Sequence, residues 1–293
     1  MNTIQLLSAL ELGLLYAIVT LGVYFTFRII NFPDLTVDGA FPLGAAVAVA
    51  LIVKDGSPWV ATFCAFLAGA LAGAITGYLH VKWKILGLLA GILTMTALYS
   101  INLRIMGRPN IAILTEPTIF SFLKGSHGVL FIITIIVIIT VLLLYRFLAS
   151  QFGLTLRAVG INSKVSPSYG INVDRMILIG LALSNGLVAL AGALFAQAHG
   201  FADISMGTGT LIAGLASIII GESIFNRHKV WIKLISCIFG SVLYRIFIGL
   251  ALNTKIAGLK ASDLNLITAI LVFIAMSMPQ IRQKFWIKIR GNI

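Results

Sequence analysis

The chain has 293 residues, of which 59% are apolar and only 10% charged, with a mean hydropathy of +1.06. A soluble domain carries about a quarter charged residues, so a water-soluble globule is excluded and a polytopic membrane protein remains. The net charge of +12 is no nucleic-acid signature, because the basic residues gather at the ends of apolar runs and form no stripe.

In chain order, apolar runs fall at about 6–30, 39–53, 58–79, 85–103, 128–148, 176–198, 208–224, 230–250 and 264–281. They predict an all-α polytopic membrane protein of about nine transmembrane helices, one domain over 1–293. The first run has no basic n-region before it and no small-residue cleavage site, so no signal peptide is expected. Two runs, 39–53 and 208–224, barely reach the roughly 20 residues a crossing helix needs. Each follows a polar stretch, Asn31-Phe32-Pro33-Asp34-Leu35-Thr36-Val37-Asp38-Gly39 and Ala202-Asp203-Ile204-Ser205-Met206-Gly207-Thr208-Gly209. Short, interrupted segments of this kind mark discontinuous helices whose ends reach membrane depth. For 31–39 the broken helix is favoured over a surface loop, because Asp34 and Asp38 are two of only nine acids. For 202–209 both readings stay open.

Between these, Ala65, Gly69, Gly73 and Gly77 make a ladder of small residues on one helix face, and Gly87 with Gly91 makes another pair. Such faces let backbones pack closely where lipid offers no hydrophobic drive. Asp34, Thr36 and Asp38 are expected to face the bundle, lining a solute pathway or capping the half-helix that follows. Asn31, Thr94, Thr96, Ser184 and Asn185 are further pathway candidates, since each can bond a polar solute or a neighbouring helix. Arg245 is left inside a span, as a snorkelling or bundle-facing cation. Cys64 and Cys237 read as packing residues.

Residues 150–175 are a polar, glycine-punctuated island between two membrane-length runs. Phe152, Leu156 and Val159 fall at i, i+4 and i+7, giving a short helix one apolar face, with Arg157 off it. Orientation follows from the basic residues: 14 of 21 Lys and Arg lie in segments 28–38, 80–84, 146–175, 225–233 and 282–293, against six on the other face. The bias places the island and the C-terminus in the cytoplasm and the N-terminus outside. No phosphate-binding loop, paired histidines or catalytic constellation occurs, so the chain is expected to be no enzyme and to hold no metal or cofactor of its own. Acids in mid-span, the mark of a proton-coupled carrier, are not apparent.

Thr155-Leu156-Arg157-Ala158-Val159-Gly160, followed by Gly170-Ile171-Asn172-Val173 and by Leu187-Val188-Ala189-Leu190-Ala191-Gly192-Ala193-Leu194, resembles the permease subunits of branched-chain amino acid and ribose-type ABC importers. Leu12–Gly22 and the Asn31–Gly39 stretch are similar to that family's first span and its polar motif, and the latter looks like the branch with predicted tryptophan and tyrosine importers. The resemblance implies a type II ABC importer-like fold in a bacterial inner membrane, and a homodimer of this chain. It further implies ABC ATPase subunits carrying ATP and Mg in the cytoplasm, and an extracytoplasmic substrate-binding protein. By the same resemblance the helix about Leu154–Asn162 is the coupling helix. Phe152, Leu156 and Val159 would then form its docking face, Arg157 its polar anchor, and Gly153 and Gly160 the turns at its ends. Val165-Ser166-Pro167-Ser168 replaces the family's Ala-rich run and leaves the helix length open. The solute would be an amino acid or similar small organic molecule. The alternative is a stand-alone secondary carrier or channel; a membrane enzyme has no constellation behind it.

Overall fold

The structure is a computed structural model and describes residues 3–113, 115–122, 126–225, 229–253, 269–270 and 273. Nine α-helices occur among them: α1 Thr3–Tyr24, α2 Val37–Ile52, α3 Pro58–Trp83, α4 Gly87–Met106, α5 Ser126–Ala149, α6 Gln151–Ile161, α7 Val173–His199, α8 Thr210–Ile224 and α9 Val230–Asn253. α1 runs on into a π-helical turn, Phe25–Ile30, which Asn31 closes in the left-handed conformation at φ 58°. Asn tolerates that region better than most residues. Among the described residues six helices are long and apolar enough to cross a membrane: α1 with its π turn, α3, α4, α5, α7 and α9. The ninth expected run, 264–281, lies almost wholly outside the described residues.

The two short runs are short helices. α2 has 16 residues and α8 has 15, so each is about 22–24 Å long, less than the roughly 30 Å of hydrocarbon. The polar 202–209 segment is neither a plain loop nor helical throughout. Its start forms β2, Phe201–Asp203, paired antiparallel with β1, Asn110–Ala112, with Ile111 opposite Ala202. The sequence reading missed this small sheet, because three-residue strands leave no alternation to detect. Asp203 accepts from the Ser205 hydroxyl and amide and from Asn110 Nδ2 at 3.1 Å. The Ser205 hydroxyl, then its amide and Asn110, hold the Asp203 carboxyl below the usual carboxylate range against a partial offset from burial.

α7 is the hub. Two-thirds of its central window is buried, against about a fifth for α5, whose Phe131, Leu142 and Leu143 lie open on the outside. α7 packs on α1, α2 and α3. The small-residue ladder makes the α3 contact: a Cβ on Gly73 would stand 2.1 Å from the Leu181 carbonyl oxygen, and one on Gly69 2.4 Å from that of Asn185. The Gly87 and Gly91 pair does something different. It receives the polar stretch, Gly87 against the Phe32 ring and Gly91 against the Leu35 amide. Arg245 lies over the Tyr16 ring at 3.6 Å to its centroid, so an aromatic face receives this cation.

Two outcomes follow from this packing. Gly73→Leu should lower thermal stability of the detergent-solubilised protein, overpacking of this kind costing about 1–3 kcal/mol or more. Leu143→Ala on the open face of α5 should leave the unfolding midpoint nearly unchanged. Acid should loosen the strand pair, since the Asp203 contribution is full above about pH 3.9 and is lost as pH falls through its lower folded value; a lower protection factor for the Ala202 amide below about pH 4, relative to its intrinsic exchange rate, would report it.

Candidate functional site

The polar stretch between α1 and α2 folds inward. Phe32, Asp34 and Thr36 are buried while Asn31 and Pro33 stay exposed. Asp34 is wholly enclosed: its Oδ1 accepts the Thr36 amide at 2.9 Å, and its Oδ2 accepts Asn185 Nδ2 at 2.6 Å. The first bond is the local turn that a short acidic side chain makes two residues on. The second ties the stretch to the hub helix α7. Asn185 Nδ2 also donates to the Leu181 carbonyl at 3.1 Å.

A hydroxyl chain continues from Thr36. Its Oγ1 lies 2.7 Å from that of Thr76 on α3, which lies 2.9 Å from that of Thr94 on α4. Each hydroxyl has one proton, and Thr94 gives its own to the Ala90 carbonyl. Thr76 donates to Thr94 and shares that proton with the Ala72 carbonyl at 3.2 Å, and either hydroxyl can donate between Thr36 and Thr76. Asp34, Thr36, Thr76, Thr94 and Asn185 thus form one buried relay across α3, α4 and α7. In so apolar a setting each bond is worth more than in water, and each unmade bond costs more.

One helical turn further on, Asp38 reaches across to α8. Its Oδ1 accepts the Leu211 amide at 2.8 Å and its Oδ2 the Gly209 amide at 3.3 Å. The first turn of a helix has orphan N–H donors and a partial positive charge, and a carboxylate satisfies both. Both short helices therefore begin at the same place, and a residue of one caps the other. Gly207 permits the approach, since a Cβ there would stand 2.0 Å from the Asp38 carbonyl oxygen. Beside this junction opens a cavity of about 270 Å³, lined among others by Asp38, Met95, Thr96, Tyr99, Asn102 and Thr208.

The polar island does contain the expected helix, α6, beginning earlier than expected at Gln151 with Ser150 as its N-cap. Its apolar side differs from the expectation. Leu156 and Val159 are buried inside this chain, Leu156 lying under the helical face at Gly180, so they fasten α6 to its own bundle and leave no free docking face there. The apolar stripe is satisfied at home. Gly153 and Gly160 are not turn residues either: both are helical, and a Cβ on Gly160 would stand 1.7 Å from the Ile29 carbonyl oxygen of the π turn. What α6 and its following turn leave open is Phe152, Leu154, Ile161, Val165 and Tyr169, with Ile161 85% exposed. Arg157 is half-buried and its Nε has no partner. Asn162 closes the helix, its Oδ1 accepting the Lys164 and Val165 amides at 3.1 and 3.2 Å. The Arg28 guanidinium in the π turn pairs with the Glu222 carboxylate near the end of α8.

Of the residues singled out from sequence, Asp34, Thr36, Thr94 and Asn185 meet in the relay, and Asp38 stands one turn away. Thr96 is on the cavity wall, and Asn31 borders a second cavity of about 240 Å³ that also touches Gly160 of α6. Ser184 is separate, bonding the Gly22 carbonyl at 2.7 Å. Asp34 and Thr36, expected to face the bundle, are both fully enclosed. Sequence reasoning missed Thr76 and Asn102. Thr76 follows Gly73 on the small-residue face, and Asn102 is a lone amide in an apolar run, so both had a signal.

Asp38→Ala should cost about 0.5–2 kcal/mol as a lost N-cap and lower transport, whereas Lys54→Ala at an exposed loop should change neither. Asp34→Ala should be worse, because it strands the Thr36 amide and the Asn185 amide in the interior, about 1–3 kcal/mol for each unmet donor. Thermal unfolding at matched expression checks the order.

The chain was compared with known proteins. Residues 5–277 match the family model described as branched-chain amino acid transport system / permease component. A tyrosine transport system permease protein of Clostridioides difficile is 42% identical over 267 residues, covering 91% of this chain and 88% of the relative. A probable branched-chain amino acid transport permease protein of Methanocaldococcus jannaschii is 29% identical, over 68% of this chain and 66% of that one. A ribose import permease protein of Haemophilus influenzae is 26% identical, over 74% and 68%. No solved structure matches the chain. With its apolar helices and these relatives, the chain is a multi-pass membrane transport subunit and belongs to the branched-chain amino acid transport system permease family.

Proposed function

We propose that this chain is the membrane-spanning permease of an ATP-driven ABC importer for an amino acid or a similar small solute, in a bacterial inner membrane. The whole chain works as one permease domain. Two copies form the pathway, two ATPase subunits bind ATP and Mg and hydrolyse the ATP in the cytoplasm, and a binding protein delivers solute from outside. The observation that carries the reading is the seating of α6. Its inner side is locked to the π turn that leads into the Asp34 relay, and its outer side exposes Phe152, Leu154 and Ile161 with nothing on them among the described residues. A rigid helix with an open apolar edge suits a partner groove, and Arg157 at its flank suits an acid or a carbonyl there. The relative named for tyrosine transport supports an amino acid as solute.

The enclosed Asp34 favours a second reading, a proton-coupled carrier, because embedded acids serve that chemistry. Two measurements separate them. The purified chain should neither bind nor hydrolyse ATP, and with its ATPase it should drive uptake that stops on removing ATP and ignores a proton gradient. Uptake by the chain alone under that gradient would establish the carrier instead. For the docking edge, Ile161→Asp should abolish association with the ATPase in a pull-down while leaving the unfolding midpoint intact. Leu156→Asp should act differently: it buries a charge within the permease and should destabilise the permease itself by several kcal/mol.

A further inference from the structure

We infer that Arg245 reads the carboxylate of the transported solute, in a cleft between α7 and α9 whose aromatic walls take a ring. The inference rests on the importer reading above and names the residue that recognises the solute's charge within it. Arg245 lies about 9 Å inside the end of the apolar span Val230–Ala251. A cation at that depth is costly without a counter-charge. Arg245 has none: among the described residues its guanidinium pairs with no acid, Glu11 on α1 included. Its face rests on the Tyr16 ring, and that contact offsets only part of the cost. Of its three nitrogens only Nε is enclosed without a partner. The side chain is partly exposed, and the two amino nitrogens bond nothing and are not enclosed, so their fork is open to an incoming group.

The cleft follows from the packing. α1 packs on both α7 and α9, with no packed face between those two, and Tyr16 on α1 forms the floor. Phe195 and His199 stand on the α7 side. His199 Nδ1 donates to the Phe195 carbonyl at 3.1 Å, since a carbonyl only accepts, and the two rings lie stacked at 4.2 Å. Phe195 meets Tyr16 edge-on at 6.4 Å, and buried Phe41 stands behind both, at 5.5 Å from Tyr16 and 5.7 Å from Phe195. His199 is within electrostatic reach of Arg245 across the cleft. Tyr16 and Phe195 are partly exposed and His199 is exposed, so none of the walls is closed off by its neighbours. A guanidinium fork matches the two oxygens of a carboxylate, and flat aromatic surfaces beside it match a flat ring. A neutral sugar would leave the guanidinium unpaired, so the site separates aromatic acids from sugars of similar size.

The test uses the full chain in lipid nanodiscs and two probes that share one body, 3-(4-hydroxyphenyl)propionate and its neutral amide, followed by ligand-observed NMR. The unaltered chain should bind the acid about tenfold more tightly than the amide. Arg245→Gln should abolish that preference while leaving amide binding in place, because the aromatic walls remain. A merely structural arginine would change stability and leave the ratio alone. Thermal unfolding checks that the variant folds. Should it not, Arg245→Lys decides: it keeps the charge, loses the fork and should lower the preference about threefold or more. No binding of the acid by the unaltered chain, equal binding of acid and amide, or an unchanged preference in folded Arg245→Gln or Arg245→Lys would overturn the inference. ATP-driven uptake in proteoliposomes is measured alongside. Uptake without the acid preference sinks the subsite alone, while the preference without ATP-driven uptake sinks the importer reading and leaves the subsite standing.

Discussion

The structure depends on one enclosed carboxylate. Asp34 lies inside a bundle whose surroundings are lipid and apolar side chains, where an unpaired charge costs several kcal/mol after relaxation. It is tolerated because the Thr36 amide and the Asn185 side chain both donate to it. Those two donors come from opposite sides of the interior, one from the start of a half-helix and one from the hub helix. Satisfying the acid therefore fixes where the polar stretch enters the bundle. Everything downstream, the Thr36–Thr76–Thr94 relay and the start of α2, inherits its position from that pairing.

Much of this was legible in the sequence, for physical reasons that can be named. Membrane helices must satisfy their own backbone, so long apolar runs translate directly into α1, α3, α4, α5, α7 and α9. The half-helix α2 was legible because its run was too short and was preceded by two acids, whereas for the stretch leading into α8 a surface loop and a broken helix stayed open. Which polar residues would meet was less legible. Asp34 and Asn185 are 151 positions apart, and no local pattern announces such a pairing. Thr76 was missed because a threonine in an apolar helix normally bonds its own backbone, as this one also does toward Ala72. The apolar face of α6 was read correctly as a stripe and wrongly as an outer surface. Periodicity says that a helix has a buried side; it does not say which molecule buries it.

The attachment of α6 ties a surface helix directly to the interior of the bundle. Contact between Gly160 and the π turn is backbone against backbone, with no side chain between them to absorb a displacement. π turns are concentrated at functional positions, and here the turn lies directly between the surface helix and the residues leading to Asp34. Arg28 in the same turn pairs with Glu222 near the end of α8, so α1 and α8 are joined by charge as well as by packing.

The shared cap at Asp38 has a kinematic consequence. A carboxylate that belongs to α2 and closes the first turn of α8 makes the two half-helices a single linkage. Pulling them apart along their axes would strip two amides of their acceptor, one of them, the Leu211 amide, in a partly buried position. Swivelling about the carboxylate costs far less, because its oxygens can keep both amides through a modest change of angle. The junction thus constrains the kind of motion open to the bundle: rotation about a pivot is cheap, and separation is not.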